Sequence, residues 1–186
     1  MINLKTMIQN LSGDCKIIAK IEKPEAIKNL NSIVKNSDAL MVARGDLGVE
    51  LPTQKVPVLQ KKIVRAARRS AKPVIIATQV MESMINNLSP TRAETNDAAN
   101  AVFDGADALM LSGETSIGKY PTRVIRTISK IIVDVETSDE KKDFKKLLPR
   151  KSNKRYVSDS ICYQASEIAN QVEARAILAF TASGYN

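Results

Sequence analysis

Histidine is absent from this chain of 186 residues. That absence removes the commonest general base, and with it every histidine-based triad or metal site. Any chemistry must rest on lysine, arginine, carboxylates or hydroxyls. Cysteine is scarce. Cys15 and Cys162, far apart and without C-x-x-C spacing, argue against a disulfide framework or a zinc site and suit a reducing cytoplasm. No apolar run approaches the roughly 20 residues of a membrane span. The opening MINLKTMIQNLSGDC lacks the continuous apolar core of a signal peptide and reads as a mixed helix.

The length lies near the upper end of one domain, and 44% hydrophobic residues suffice for a core. The net charge of +8 invites a nucleic-acid reading. Much of it, however, sits in KKDFKKLLPRKSNKR, Lys141 to Arg155, a pattern that reads as a solvated linker or helix face. A nucleic-acid site calls for basic residues interleaved with aromatics, or a recognisable module, and Phe144 and Tyr156 supply neither. Composition therefore implies no nucleic acid and no membrane as partners.

Apolar β-type runs alternate with amphipathic stretches. The runs predict strands at Lys16–Glu22, Ala39–Ala43, Pro73–Thr78 and Ala108–Leu111. Between them, Leu59, Ile63, Ala66 and Ala67 recur at helical spacing, with Lys61, Lys62, Arg65, Arg68 and Arg69 on the opposite face. Thr91–Glu94, TRAE, is a capping box that starts a helix running to Asp104, with Gly105 as its left-handed stop. Pro121 opens another helix whose stripe is Val124, Ile125, Ile128, Ile131 and Ile132. Beyond the basic run, Ser158–Val172 reads as a helix and Ala176–Phe180 as a fifth strand.

Repeated strand–helix units imply α/β architecture with a parallel sheet, open or closed as a barrel. Each predicted strand carries a polar cluster at its carboxyl end: Lys20 and Glu22; Arg44, Gly45 and Asp46; Thr78 and Gln79; Ser112, Gly113 and Glu114. An open sheet binds at one crevice, usually with one glycine-rich loop, whereas a βα-barrel gathers residues from many strand ends. The spread of polar residues favours the barrel, of which four units are half.

Singly, these residues have plain readings. Lys20 and Glu22 suit an edge-strand ion pair, Thr78 and Ser112 suit strand-end caps, RGD suits a loop and SGE a turn. Together they suit a site. Glu22 and Asp46 can share one divalent cation in the manner of Mg²⁺, with Lys20 as a compact cation for a phosphate or enolate oxygen. A helical turn starting at Arg44–Asp46 would present amides to a carboxylate, and Thr78 could bind that anion or pass a proton.

Four long segments carry a resemblance. CKIIAKIEKPEAI (Cys15–Ile27), MVARGDLGVELP (Met41–Pro52), PVIIATQVMESM (Pro73–Met84) and PTRAETNDAANAVFDGADALMLSGETSIGKYP (Pro90–Pro121) resemble pyruvate kinase motifs in family order. The resemblance covers Cys15 to Ile132 and is weaker from Ser158 onward. It implies the second half of a TIM (β/α)8 barrel, four βα units corresponding to strands 5–8, followed by the beginning of an α/β C-terminal domain. The implied domains are 1–136, a partial catalytic barrel, 137–156, a charged linker, and 157–186, the start of the C-terminal domain.

The resemblance further implies phosphoryl transfer between phosphoenolpyruvate and ADP, giving pyruvate and ATP in cytoplasmic glycolysis. Lys20 would stabilise transferring charge, and Glu22 and Asp46 would hold Mg²⁺ or Mn²⁺ acting as Lewis acid and template. The backbone at Ala43, Arg44, Gly45 and Asp46 would hold the substrate carboxylate. Thr78 would contact the substrate, and Ser112 would join a proton relay. K⁺ is expected for the family, with its ligands in the missing first half, as are the lid and much of the nucleotide site. TASGYN (Thr181–Asn186) resembles the opening of an effector-phosphate loop. The chain is thus expected to be a fragment of a homotetrameric enzyme, inactive alone. The alternatives are a non-catalytic remnant that pairs with another barrel half or with itself and, less well supported, a metal-dependent aldolase.

Overall fold

The computed structural model describes residues 2–138 and 155–180. Its chain divides into two compact units, Met1–Phe144 and Lys145–Asn186. All but the last residue of the basic run Lys141–Arg155, together with the Thr181–Asn186 loop, lie outside the described residues.

The first unit opens with helix α1 (Ile2–Asn10) and is built on four strands, β1 (Ile18–Ile21), β2 (Ala39–Ala43), β3 (Val74–Ala77) and β4 (Ala108–Met110). All neighbours are parallel and the spatial order is the chain order, β1-β2-β3-β4. The crossovers carry α2 (Pro24–Lys28) and α3 (Leu30–Asn36), then α4 (Arg44–Glu50) and α5 (Val56–Arg69), then α6 (Arg92–Asp104). After β4 come α7 (Gly113–Ser116) and α8 (Pro121–Thr137). The expected α/β architecture with a parallel sheet is present.

Side chains alternate across a strand, so each strand has two readings. Ala19, Ile21, Leu40, Val42, Val74 and Ile76 share one face and form a single cluster with Leu30, Val34, Ile63, Val64, Ala67 and Ala101 of the helices. Fully burying one aliphatic side chain of this size contributes about 1.5–3 kcal/mol. Ile63, Val64 and Ala67 explain why α5 holds its place, while its basic residues stay exposed. The opposite parity is different. Register aligns Lys20, Met41, Ile75 and Ala108 in one row, and none of these is buried. Ile18, at the open edge, is 50% exposed. Helices therefore cover one face and leave the other open except at its carboxyl end, where the row of Ala43 and Ala77 is buried.

A repeated tetrapeptide sets the strand starts. Asp38-Ala39-Leu40-Met41 and Asp107-Ala108-Leu109-Met110 share the sequence DALM. Asp38 Oδ2 accepts from Ile17 N–H and Asp107 Oδ2 accepts from Val74 N–H, each at 2.8 Å. Each aspartate's own N–H returns a bond to the same residue's carbonyl, at 2.8 and 2.9 Å respectively. The pair fixes register at the amino end of the sheet. The Ile17 N–H, and beyond it Lys5 and other cations, hold the Asp38 carboxyl below its usual range.

The predicted capping box is formed. Glu94 N–H donates to Thr91 Oγ1 at 3.2 Å, and Thr91 N–H donates back to Glu94 Oε2 at 2.7 Å. Gly105 ends α6 at φ 95°, and a Cβ there would meet the Arg68 side chain at 2.8 Å. The Glu94 carboxyl also accepts from Ser83 N–H and Ser83 Oγ–H, pinning the 3₁₀ turn Glu82–Ile85 to the helix start.

The structure trims three strands and overturns one. The first loses both ends of Lys16–Glu22, and the fourth stops before Leu111. The third stops at Ala77, because Thr78 takes a left-handed φ of 68° that no strand contains. In the second unit, α9 (Tyr156–Gln171) meets the expected helix. The predicted strand Ala176–Phe180 is not formed: all five residues are exposed, Phe180 fully. A strand needs a laterally bonded neighbour, and no other strand lies among the described residues of that unit.

Burial raises the Glu94 pKa, but the hydrogen bonds from Ser83 and Thr91 outweigh it and leave the group below its ordinary value of 4.5. A depressed folded pKa stabilises above the unfolded value, and this contribution is lost as pH falls through the folded one. Glu94→Gln should cost about 1–2 kcal/mol in urea unfolding at pH 7. The deficit relative to the parent should shrink as the pH drops below 4.5.

Candidate active site

The carboxyl ends of β1 and β2 bring three predicted residues together. Lys20 Nζ lies 2.6 Å from Glu22 Oε2 and 2.9 Å from Asp46 Oδ2. Lys20 leaves β1 on the open face, and Asp46 stands in the first turn of α4, which begins directly after β2. The hydrogen bond to Asp46, then that to Glu22, raises the Lys20 pKa, and the same ammonium lowers that of Asp46. All three side chains remain a third to a half exposed, so carboxylate oxygens are accessible from solvent. A groove of about 610 Å³ runs beside them along the free edge of β1, past Ile18 and Ile33.

A second cluster lies one residue away. Gly45 N–H donates to Thr78 Oγ1 at 2.7 Å, and the threonine hydroxyl donates to Ala77 O at 2.7 Å. The approach is close: a Cβ on Gly45 would stand 3.3 Å from Thr78 Oγ1. Both Thr78 and Gln79 have positive φ, 68° and 53°, a conformation costing non-glycine residues on the order of 1–3 kcal/mol each. Arg44 holds them there. Its Nη2–H donates to Thr78 O at 2.8 Å and Gln79 O at 2.9 Å, its Nε–H donates to Thr78 O at 3.2 Å, and Nη1 pairs with Asp97 of α6. The side chain is only 8% exposed, so its guanidinium serves the scaffold, and Ala43 before it is fully buried.

Ser112 joins more remotely. It is exposed at the end of β4, and its N–H donates at 2.6 Å to Glu114 Oε2. The buried Glu114 carboxyl also accepts from Met81 N–H at 3.0 Å. Sequence reasoning saw Glu114 within a polar cluster without giving it a role, and it missed Asp97. The signal for Asp97 was available: a carboxylate in the second turn of an amphipathic helix, with an unplaced arginine at a strand end.

The donor set suits a hard divalent cation. Glu22 and Asp46 offer oxygen ligands converging on one point, now the Lys20 ammonium. Among the described residues no group of three or more acidic, cysteine or histidine side chains forms a dedicated metal cage. Mg²⁺ is commonly held by one or two carboxylates that share the ion with substrate and water.

A parallel α/β sheet with helices on one face and charged groups at several strand ends suits a class of catalytic domains in which loops after the strands build the site. Residues 1–125 match the family model for the pyruvate kinase barrel domain, and the chain belongs to the pyruvate kinase family, a family of phosphotransferases. Pyruvate kinase of Mycobacterium tuberculosis is 56% identical over 168 residues, 90% of this chain and 34% of that protein. The Thermotoga maritima enzyme is 41% identical over 184 residues, covering 99% and 38%. A crystal structure of a pyruvate kinase from Cryptosporidium parvum superposes with a TM-score of 0.72 at 39% identity, over 88% of this chain and 33% of that one. The chain thus spans about a third of the length of these relatives.

Arg44→Lys keeps the charge but cannot reach three acceptors with a planar fork. It should lower stability by about 2–3 kcal/mol in urea unfolding, more than Lys20→Met in the exposed cluster.

Proposed function

We propose that this chain supplies strands 5–8 of a catalytic (β/α)8 barrel, as residues 1–136, with a charged linker at 137–156 and the start of an α/β C-terminal domain at 157–186. Its function in a completed barrel is phosphoryl transfer from phosphoenolpyruvate to ADP. The observation that carries this reading is the convergence of Lys20, Glu22 and Asp46 beside the Gly45–Thr78 pair. The open sheet face and the consecutive strand order support the barrel, since a doubly wound sheet has helices on both faces.

In the reaction the bond from phosphorus to the enol oxygen breaks, a new bond forms to the terminal phosphate of ADP, and a proton reaches the methylene carbon. Glu22 and Asp46 would hold Mg²⁺ or Mn²⁺, which would supply Lewis-acid and templating chemistry when bound. Lys20, beside both carboxylates, faces the transferring phosphoryl charge. The backbone from Ala43 to Asp46 receives the substrate carboxylate. A carboxylate oxygen competes with Thr78 Oγ1 for the Gly45 N–H, and the threonine hydroxyl, which donates to Ala77 O, reaches the substrate by turning its proton away from that carbonyl. Ser112 relays the proton, while the side chain of Arg44 stays with the scaffold. The K⁺ ligands, the lid, much of the nucleotide site and homotetrameric assembly belong to the rest of the enzyme, which is cytoplasmic.

A second reading rests on the sheet edges β1 and β4, each with one bonded neighbour among the described residues. Such edges favour association, and the chain would then be a non-catalytic remnant pairing with another barrel half or with itself.

Coupled turnover of phosphoenolpyruvate with ADP, Mg²⁺ and K⁺ separates these. Activity is expected only when a family N-terminal half is supplied, and Lys20→Ala should lower it by at least about a hundredfold, the scale of a lost charge-stabilising group. Turnover by the chain alone would refute the need for the other strands. Folded mixtures without any turnover would favour the remnant.

A further inference from the structure

We propose that Glu114 is a positioning residue whose buried carboxyl ties the turn after β3 to the end of β4 and so sets Thr78 and Ser112 to act on one ligand. The inference rests on the reading of those two residues as substrate-facing.

Glu114 is 4% exposed, and its two oxygens serve different elements. Oε1 accepts from Met81 N–H and Oε2 from Ser112 N–H, at 3.0 and 2.6 Å. A buried carboxyl is tolerated where its oxygens are satisfied, and here backbone donors do so. The consequence is geometric. The turn from Thr78 to Met81 begins with two left-handed non-glycine residues, which persist only when their surroundings over-determine them. Arg44 grips the carbonyls of Thr78 and Gln79 from the β2 side. Glu114 grips the amide of Met81 from the β4 side, with Val80 and Met81 both fully buried between these anchors.

Of the two anchors, the carboxyl alone also reaches Ser112, whose backbone is unusual at φ −130° and ψ −104°. The chain around it is built to keep it there. Gly118 folds back over α7 so tightly that a Cβ would lie 2.4 Å from Glu114 O. Gly118 N–H donates to Gly113 O at 2.9 Å, and Lys119 N–H donates to Ile85 O at 2.9 Å, closing the loop onto the turn after β3. A glutamine at 114 satisfies one N–H but turns its own amide donor toward the other. An aspartate is one methylene too short to span both.

The test uses Glu114→Gln and Glu114→Asp in the chain, with and without the N-terminal half supplied. Four quantities are read: Mn²⁺ affinity alone, phosphoenolpyruvate affinity at saturating Mn²⁺, melting temperature, and the backbone amide resonances of Gly45, Thr78, Met81 and Ser112. Phosphoenolpyruvate affinity should fall about tenfold, as for one lost buried hydrogen bond. Mn²⁺ affinity should stay within about twofold, because no bond to Glu22 or Asp46 is touched, and the Thr78 and Gly45 amides should shift along with those of Met81 and Ser112. A parallel fall in melting temperature and both affinities would overturn the proposal by showing a purely structural role. So would unchanged Thr78 and Gly45 resonances, or unchanged phosphoenolpyruvate affinity in a chain that binds it. If the parent binds no phosphoenolpyruvate in any mixture, the functional reading fails, and the coupled or static amide shifts still decide whether Glu114 positions the two residues.

Discussion

The guanidinium of Arg44 is the interaction on which the site depends. It lies below the surface at the start of α4 and reaches the turn after β3 and the side of α6 together. A buried arginine is tolerable only when its donors are engaged. Here they are engaged by two backbone carbonyls that lack partners in the sheet because the strand has ended, and by Asp97. The strained turn and the buried cation thus satisfy each other. Removing either would leave a buried polar group without its partner, which is why the left-handed pair at Thr78 and Gln79 persists.

The Lys20 cluster is of another kind. Its members are a third to a half exposed, and ion pairs so placed contribute little to stability and are screened by salt. Its value lies in geometry. Two carboxylates held on one ammonium converge on a single point, the arrangement that the proposed divalent cation would use. The site therefore divides its work. A hydrogen-bonded frame of buried Arg44 and Glu114, with half-exposed Asp97, keeps the backbone in place, and an exposed charged rim is left free to exchange partners.

The sheet explains why these parts meet. Parallel strands in consecutive order deliver every carboxyl end to one edge, and the paired DALM segments lock register at the other. A slip of one residue would turn Lys20 onto the helix-covered face and Ile21 onto the open one. The covered face thus enforces the orientation of the charged groups, although it touches none of them.

Much was legible in the chain itself. Local chemistry wrote the α6 capping box and its Gly105 stop, the stripes of α5 and α8, and the polar ends of four strands, because caps and periodicities act over a few residues. Nearby charges such as Lys20 and Glu22 could be read as a pair from their spacing on one strand. What the sequence alone could not show were contacts made across tens of residues: Arg44 on Thr78, Gln79 and Asp97, Glu114 on Met81, and the aspartates that bind the preceding strand. The misread strand at Ala176–Phe180 has the same cause, since its apolar run satisfies the local pattern while a strand exists only with a bonded neighbour. Sequence determined which elements are possible and which groups they carry. Tertiary structure decided which carbonyls a buried arginine must satisfy, and through that requirement, where the threonine hydroxyl points.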